Sequence, residues 1–343
     1  MSKIRVAALM GGRSSERAVS LSTGRMILEA LDKSKYDAFP VDAALFGDDG
    51  KRAIEATGEH EIAALSEAEA ALARIGNIRS MTDLFAVPRP DVAFIALHGR
   101  FGEDGTVQGM LELLGIPYTG SGVLASALAM DKVMAKRTLQ FAGVPVPSSV
   151  DVFDVNEMGQ GVSQKVQDRI GYPVIVKPSR QGSTIGMSKV DSPEGLALAV
   201  ATAVKYDSQV LIEKFITGAE ITVPVLGNDD LQVLPIVEIV PAGGFYDYES
   251  KYTPGATEEI VPARIAEDVA AEARRLALVC HRALGCRGMS RTDMIVSSYG
   301  VYVLEVNTIP GMTPTSLLPL SAKAAGISFP DLLDKLITLA LEG

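Results

Sequence analysis

The sequence predicts a mixed architecture, α/β at its start and α+β beyond it, on three observations. Two buried strands, Lys3 to Met10 (KIRVAALM) and Asp91 to Leu97 (DVAFIAL), each run straight into a glycine-rich loop and then a helix, as in the βα unit of a parallel sheet. Later strands turn back on themselves. Gly171 to Lys177 precedes a Gly/Ser loop and a returning strand, Gln209 to Phe215 precedes Ile216 to Val225, and Met289 to Ser297 precedes Val301 to Asn307. The length of 343 residues favours two or three domains.

Composition narrows the function. The chain is 47% hydrophobic and 22% charged, ordinary for a soluble protein with a sizeable core. Its net charge of −10 argues against a nucleic-acid partner, so a phosphate-bearing ligand must meet a local cluster of Lys and Arg. Cys280 and Cys286 lack metal-motif spacing and read as buried thiols. Ile4 to Met10 is the only apolar run near the start, too short for a signal peptide or a membrane span. The expectation is a cytoplasmic protein without membrane partners.

In chain order, the first strand leads into GGRSSERAVSLSTG. The lysine and glycine spacings of a Walker loop or a dinucleotide fingerprint are absent. Glu16 and Ser20 lie at the helix start, where Ser14 or Ser15 would cap and Glu16 would favour the dipole, or where Glu16 would face a ligand beyond the strand end. Residues 47 to 85 say less; Glu59 to Arg74 reads as an Ala/Glu-rich helix or a surface excursion. His98 follows the second strand directly, at a ligand-facing edge, and a helix spans Thr106 to Leu114. A further helix, Ala129 to Gln140, carries Lys132, and GVPVPSS after it reads as an extended linker.

Gly171 to Lys177 is a strand ending on a lysine. The loop after it can surround phosphate oxygens with backbone N–H groups, or serve only as a turn. Glu213 and Lys214 end the next strand, and Glu220 follows near the turn. Gly243 to Ala263 is polar and glycine-punctuated, with tyrosines at 246, 248 and 252, and reads as an ordered lid. An amphipathic helix spans Ala266 to Leu284, and SFPDLLDKLITLALEG forms a last helix.

The hairpin between these helices carries the clearest chemistry. A three-residue loop, Ser298-Tyr299-Gly300, sets Asp293 opposite Glu305 and Arg291 opposite Asn307 on one face. Thr292, Met294, Tyr302, Leu304 and Val306 fall on the other. Opposed carboxylates repel, and a cation between them removes the conflict. Asp293, Glu305 and Asn307 are all oxygen donors, as Mg²⁺ prefers. The bland alternative is a solvent-facing strand with ordinary charges.

Together, GGRSSERAVSLSTG, LHGRFGEDGTVQGMLE, VKPSRQGSTIGMSKV, EKFITGAEITV, YDYESKY, RTDM and LEVNTIPGMTPTSL, in that order, resemble the ATP-grasp superfamily and within it the D-alanine–D-alanine ligases. The resemblance covers nearly the whole chain. It implies a three-domain ATP-grasp fold: an N-terminal parallel α/β domain (1–121), a central domain (122–213) and a C-terminal domain (214–343) with the lid at about 243–263. It implies ATP between the central and C-terminal sheets, two Mg²⁺ (or Mn²⁺) ions, D-alanine as substrate and a homodimer.

The resemblance also implies roles. Lys132, Lys177 and Lys251 contact ATP phosphates. Asp293, Glu305 and Asn307 hold the metal ions. Glu213, Lys214 and Ile216 contact adenine, and Glu220 the ribose. Glu16 receives the first D-alanine's ammonium, with His98 beside it. Arg291 and the Gly311 N–H hold the acyl oxygen, while Ser316 and Leu317 receive the second carboxylate. Ser183 and Tyr252 form a hydrogen-bonded set with Glu16. Two features depart from the family pattern: Ala18-Val19-Ser20-Leu21 stands where Glu-Val-Ser-Leu is familiar, and residues 47–85 align poorly. The rival readings are a D-Ala–D-Lac or D-Ala–D-Ser ligase of the same fold, and a non-catalytic ATP-grasp binding protein.

Overall fold

The computed structural model describes residues 2–44, 78–85, 88–153, 160–182, 184–242 and 255–343. Its first sheet contains β1 (Ile4–Met10), β2 (Tyr36–Asp42), β3 (Arg79–Ser80) and β4 (Val92–Ile95), parallel throughout, in the order β3-β2-β1-β4. Helix α1 (Arg17–Ala30) joins β1 to β2. Val6 to Met10 are fully buried, as expected of a strand covered on both faces. Glu16 rather than a serine is the N-cap, and Ser14 Oγ accepts from the Glu16 N–H at 3.3 Å. Ser14 Oγ donates to the His98 carbonyl at 2.7 Å and so ties the start of α1 to the end of β4. Beyond His98 lies α2 (Thr106–Leu114), with the predicted bounds. The Glu59–Arg74 segment lies outside the described residues.

The predicted helix Ala129 to Gln140 is in fact two, α3 (Val123–Met130) and α4 (Lys132–Phe141). Asp131 separates them with φ −82° and ψ 95°. Its carboxylate accepts from Met134 N–H at 3.1 Å and Ser179 Oγ at 3.0 Å. An N-cap requires non-helical backbone, so a cap for α4 ends α3.

A second sheet, antiparallel in the order β5-β8-β6-β7, contains β5 (Ser149–Val152), β6 (Val174–Pro178), β7 (Ser188–Val190) and β8 (Val210–Lys214). With α5 (Gln160–Arg169) and α6 (Pro193–Ala203) it closes its own core around Val150, Val166, Val176, Leu196 and Ile212.

The third sheet is six-stranded and antiparallel: β9 (Ala219–Gly227), β10 (Gln232–Val233), β11 (Val237–Pro241), β12 (Thr257–Ile260), β13 (Gly288–Ser297) and β14 (Gly300–Asn307). The order is β12-β11-β9-β13-β14, with β10 on β9. Helix α7 (Glu267–Ala283) lays Ala273, Leu276 and Cys280 against Ile221, Met294 and Val303, and α4 adds Ala135 and Leu139. Both cysteines are free and buried, and burial pushes the Cys280 thiol up to about 12. Residues 243–254 of the predicted lid lie outside the described residues. The rest of that stretch is not all loop: it includes β12, an edge strand paired with β11.

Helix α8 (Leu317–Ala324) leads to α9 (Phe329–Leu341), which returns to the first sheet. Leu332, Leu333, Leu336 and Ile337 share one core with Val6, Leu9, Phe94 and Ile95. Tyr36 Oη donates to Asp334 at 2.7 Å, and Lys35 Nζ lies 2.9 Å from the same carboxylate. Among the described residues, no helix is long and apolar enough to cross a membrane.

Leu336 is 1% exposed at the centre of this junction. Leu336→Ala is expected to lower the unfolding free energy by about 2–5 kcal/mol, as cavity-forming core truncations do. Chemical denaturation measures it, and a loss below about 1 kcal/mol would contradict a shared core.

Candidate active site

The β13–β14 hairpin sets Arg291 against Asn307 and Asp293 against Glu305. Nearer the turn the pairing differs from the sequence reading. Met294 faces Val303 and Ser297 faces Gly300, so the loop is Ser298-Tyr299 and one extra residue, Leu304, bulges from β14. The bulge moves two side chains to the opposite face. Val301, Val303 and Val306 enter the core with Met294, whereas Leu304 lines a cavity and Tyr302 pairs with Ile295, another lining residue.

Asp293 is buried and fully engaged. Its Oδ1 accepts from Arg291 Nε at 3.0 Å and from Thr222 Oγ1 at 2.5 Å. Its Oδ2 accepts from Arg291 Nη2 and Asn307 Nδ2, both at 3.0 Å. Glu305 is answered by Lys132 Nζ at 3.3 Å. Side-chain cations therefore compensate both members of the opposed pair. Among the described residues, no group of three His, Cys, Asp or Glu side chains is placed to hold a metal. The oxygen donors at the hairpin are two carboxylates and a carboxamide. That set suits a hard cation completed by phosphate oxygens rather than an all-protein cage.

Two cavities meet at this hairpin. One, of about 390 Å³, lies between the second and third sheets. Lys177 and Glu213 line it from β6 and β8, Glu220 from β9, and Asp293 from β13, with Lys214 and Ile216 at one end. Ile175, Met187 and Leu304 give it apolar walls. Lys214 Nζ folds back to the Tyr172 carbonyl at 2.8 Å. Glu213 receives Lys177 on Oε2 and Lys136 on Oε1. Burial works against the charge on Glu213, but the two lysines outweigh it and hold the carboxyl below its ordinary range. Burial likewise works against the Lys177 ammonium, but Glu213 and Glu305 outweigh it and raise its pKa.

The other cavity, of about 660 Å³, opens between the first and third sheets. Glu16 and His98 line it from the N-terminal side, and Arg291 and Asn307 from the hairpin. Gly311, Ser316 and Leu317 line it at the start of α8, whose first turn presents backbone N–H groups there. Ser316 Oγ accepts from Thr313 N–H at 3.1 Å. The Glu16 carboxylate lies tight against two loops: a Cβ on Gly99 would stand 2.7 Å from Oε2, and one on Gly182 3.2 Å. Burial holds the His98 imidazole below its ordinary pKa, with Glu16 opposing and Arg291 adding. Lys132 and Glu305 line both cavities. Ser183, Lys251 and Tyr252 lie outside the described residues.

Sequence reasoning missed Glu103, Glu259 and Lys136. Glu103 and Glu259 line the larger cavity. Glu103 stands in the GEDG turn, where the glycines drew attention and the carboxylate between them did not. Glu259 lies in the stretch read as lid. Lys136 sits one helical turn past Lys132, a spacing that places both on one side of α4.

Two facing sheets that clasp a lysine-lined slot define an ATP-grasp fold. The comparisons are consistent with this. The profile described as D-ala D-ala ligase N-terminus matches residues 5–121, and the C-terminus profile matches 138–338. The D-alanine–D-alanine ligase of Syntrophobacter fumaroxidans is 48% identical over 343 residues, covering 99% of this chain and 98% of its own. Two solved structures are also similar. One is the Bacillus anthracis D-alanine–D-alanine ligase complexed with ATP (TM-score 0.75, 33% identity, 99% and 98% coverage). The other is the VanG D-Ala:D-Ser ligase of Enterococcus faecalis (TM-score 0.80, 33% identity, 99% and 100%). The chain belongs to the D-alanine–D-alanine ligase family.

Glu103 generates a pH prediction. Burial, with Glu16 adding, raises its carboxyl from an ordinary 4.5 to about 8, against the Gly99 N–H bond of 2.8 Å. The folded protein thus binds this proton more tightly than the unfolded chain. The group costs nothing below pH 4.5, and its cost to stability grows as pH rises from there to about 8. Glu103→Gln, which still accepts from Gly99, is expected to raise Tm near pH 8 and change it little near pH 4.5. A Tm difference independent of pH would contradict the raised carboxyl.

Proposed function

We propose that this chain uses ATP to join two D-alanine molecules into D-alanyl-D-alanine, a peptidoglycan precursor. The two adjoining cavities that share Lys132 and Glu305 carry this reading: an apolar-walled, lysine-lined slot lies beside a polar chamber bounded by Glu16 and Arg291. ATP occupies the slot. Adenine lies by Glu213, Lys214 and Ile216, ribose by Glu220, and phosphates by Lys132, Lys177 and Lys251. The amino acids occupy the chamber. Glu16 takes the first ammonium, and a neutral His98 lies beside it without repelling it.

A D-alanine carboxylate oxygen attacks the terminal phosphorus, and ADP leaves. The second D-alanine's amine then attacks the acyl carbon, and phosphate leaves. Both reactants of the first step are anions, so placed positive charge is the leading requirement. Asp293, Glu305 and Asn307 suit two Mg²⁺ (or Mn²⁺) ions, which when bound would supply part of that charge. Arg291 and the Gly311 N–H face the oxyanion that develops at the acyl carbon. Ser316 and Leu317, at the N-terminus of α8, hold the second carboxylate, which the helix dipole favours. Ser183 and Tyr252 close over Glu16 and exclude water from the acyl phosphate. Three units serve this chemistry, residues 1–121, 122–213 and 214–343, in a cytoplasmic homodimer.

The acceptor is an amine. The chain has no histidine between His98 and His281, so residues 243–263 cannot place an imidazolium beside the acceptor to favour D-lactate over an ammonium. Incubation with D-alanine, D-lactate, D-serine and ATP, followed by mass analysis, is expected to give D-Ala–D-Ala as the dominant product from pH 7 to 9. Predominant depsipeptide or D-Ala–D-Ser would overturn the acceptor assignment. For the metal set, Asp293→Asn or Glu305→Gln is expected to abolish nearly all turnover and leave the circular dichroism spectrum unchanged. Near-normal turnover at saturating Mg²⁺ in either variant would refute that set.

A further inference from the structure

Glu213 is held by two lysines that differ in what else they can reach. Lys177, on β6, lines the slot between the sheets. Lys136, on α4, does not border the slot; it is tucked beneath it and donates to the Pro147 carbonyl at 2.7 Å. All three side chains are buried, at 5% for Lys136, 10% for Lys177 and 4% for Glu213. Two ammonium groups thus share one carboxylate, and Glu305 acts on Lys177 at longer range. Helix α4 packs in the core of the third sheet, yet its first turn is stitched to the end of β6. Lys132 N–H donates to the Ser179 carbonyl at 3.1 Å and Val133 N–H to Ser179 Oγ at 3.3 Å.

We propose that Lys136 is a positioning residue for nucleotide binding: it keeps Glu213 paired when Lys177 turns from that carboxylate to the phosphates of ATP. This rests on the reading of the slot as the nucleotide site. With Lys177 as its only partner, Glu213 would be left as an unpaired buried anion at the moment Lys177 engaged phosphate, and stranding one member of a buried pair is strongly unfavourable. With Lys136 present, the exchange leaves two satisfied pairs, Lys136 with Glu213 and Lys177 with phosphate. The exchange also relieves repulsion. Burial draws Lys136 below the ordinary ammonium range, Glu213 opposes this, and the neighbouring Lys177 adds to it. Once phosphate screens Lys177, Lys136 holds its proton and its carboxylate more firmly.

The role is specific to ligands that carry phosphate. Adenosine leaves Lys177 on Glu213 and makes no demand on Lys136, whereas ADP and ATP do. Calorimetric titration of the full-length protein with adenosine, ADP and ATP separates the cases. In Lys136→Met, ADP and ATP are expected to bind more weakly by on the order of tenfold or more, and adenosine to change by less than about twofold. In a Glu213→Gln background no carboxylate can be stranded, so adding Lys136→Met there is expected to leave ATP affinity unchanged. That pair carries the test should Lys136→Met alone fail to fold. Parallel weakening of adenosine and ATP in Lys136→Met would overturn the proposal, as would a further loss of ATP affinity on adding Lys136→Met to Glu213→Gln. Lys177→Met separates this failure from failure of the nucleotide site. Unchanged ATP affinity in that variant overturns both readings. Weakened ATP affinity in Lys177→Met, with parallel losses in Lys136→Met, overturns this one alone.

Discussion

Asp293 and Glu305 face each other across an antiparallel strand pair, where two carboxylates repel unless cations answer them. The fold around them is arranged to supply those cations from three directions. Arg291 comes from the same strand, two residues away, and Lys132 comes from the start of α4. Lys177, from the second sheet, feels Glu305 at longer range, and its ammonium is stabilised partly by it. The hairpin is thus the place where the third sheet, α4 and the second sheet come into electrostatic register. It also lines both cavities. A charge conflict that would be a defect on a plain surface strand here draws cations, and with them anionic substrates, to one point.

Much of this was legible in the sequence because it follows from period-two alternation. Given strands at 289–297 and 301–307, the placement of Arg291, Asp293, Glu305 and Asn307 on one face follows from geometry. The bulge at Leu304 does not, since an unpaired residue leaves no mark on composition. Period-two counting alone therefore keeps Tyr302 and Leu304 on the face of Met294, from which the bulge removes them. The helix break at Asp131 was hidden for a related reason. Alanine, methionine and lysine continue helical periodicity on both sides, and the interruption shows in the extended backbone of Asp131 and its carboxylate's hydrogen bonds to Met134 and Ser179. Lys136 was invisible because its partner, Glu213, lies on a strand 77 positions later (213 − 136). Pairings over that separation depend on how sheets stack, which local pattern does not contain.

The distribution of apolar cores bears on motion. The second sheet closes its core with its own helices, while α4, α7 and the third sheet share another. What joins the second sheet to the rest near the slot is largely polar: Ser179 with Asp131, Lys136 with Glu213, Lys132 with the Gln181 carbonyl at 2.7 Å. Hydrogen bonds and ion pairs can be exchanged for contacts to a ligand at modest net cost, whereas a split apolar core cannot. The ligand-facing side of the slot is therefore the side where the molecule can adjust.

The path of α9 has a consequence for synthesis. The first sheet is made well before the leucines that cover part of it, Leu332, Leu333 and Leu336. About 230 residues separate β4 from α9, so at ribosomal speed the nascent sheet waits on the order of ten seconds or more for its last apolar partner. During that interval Val6, Leu9 and Phe94 lack the leucines that finish their core. The N-terminal segment therefore keeps part of its apolar surface uncovered until α9 has been made, and its folding completes only then.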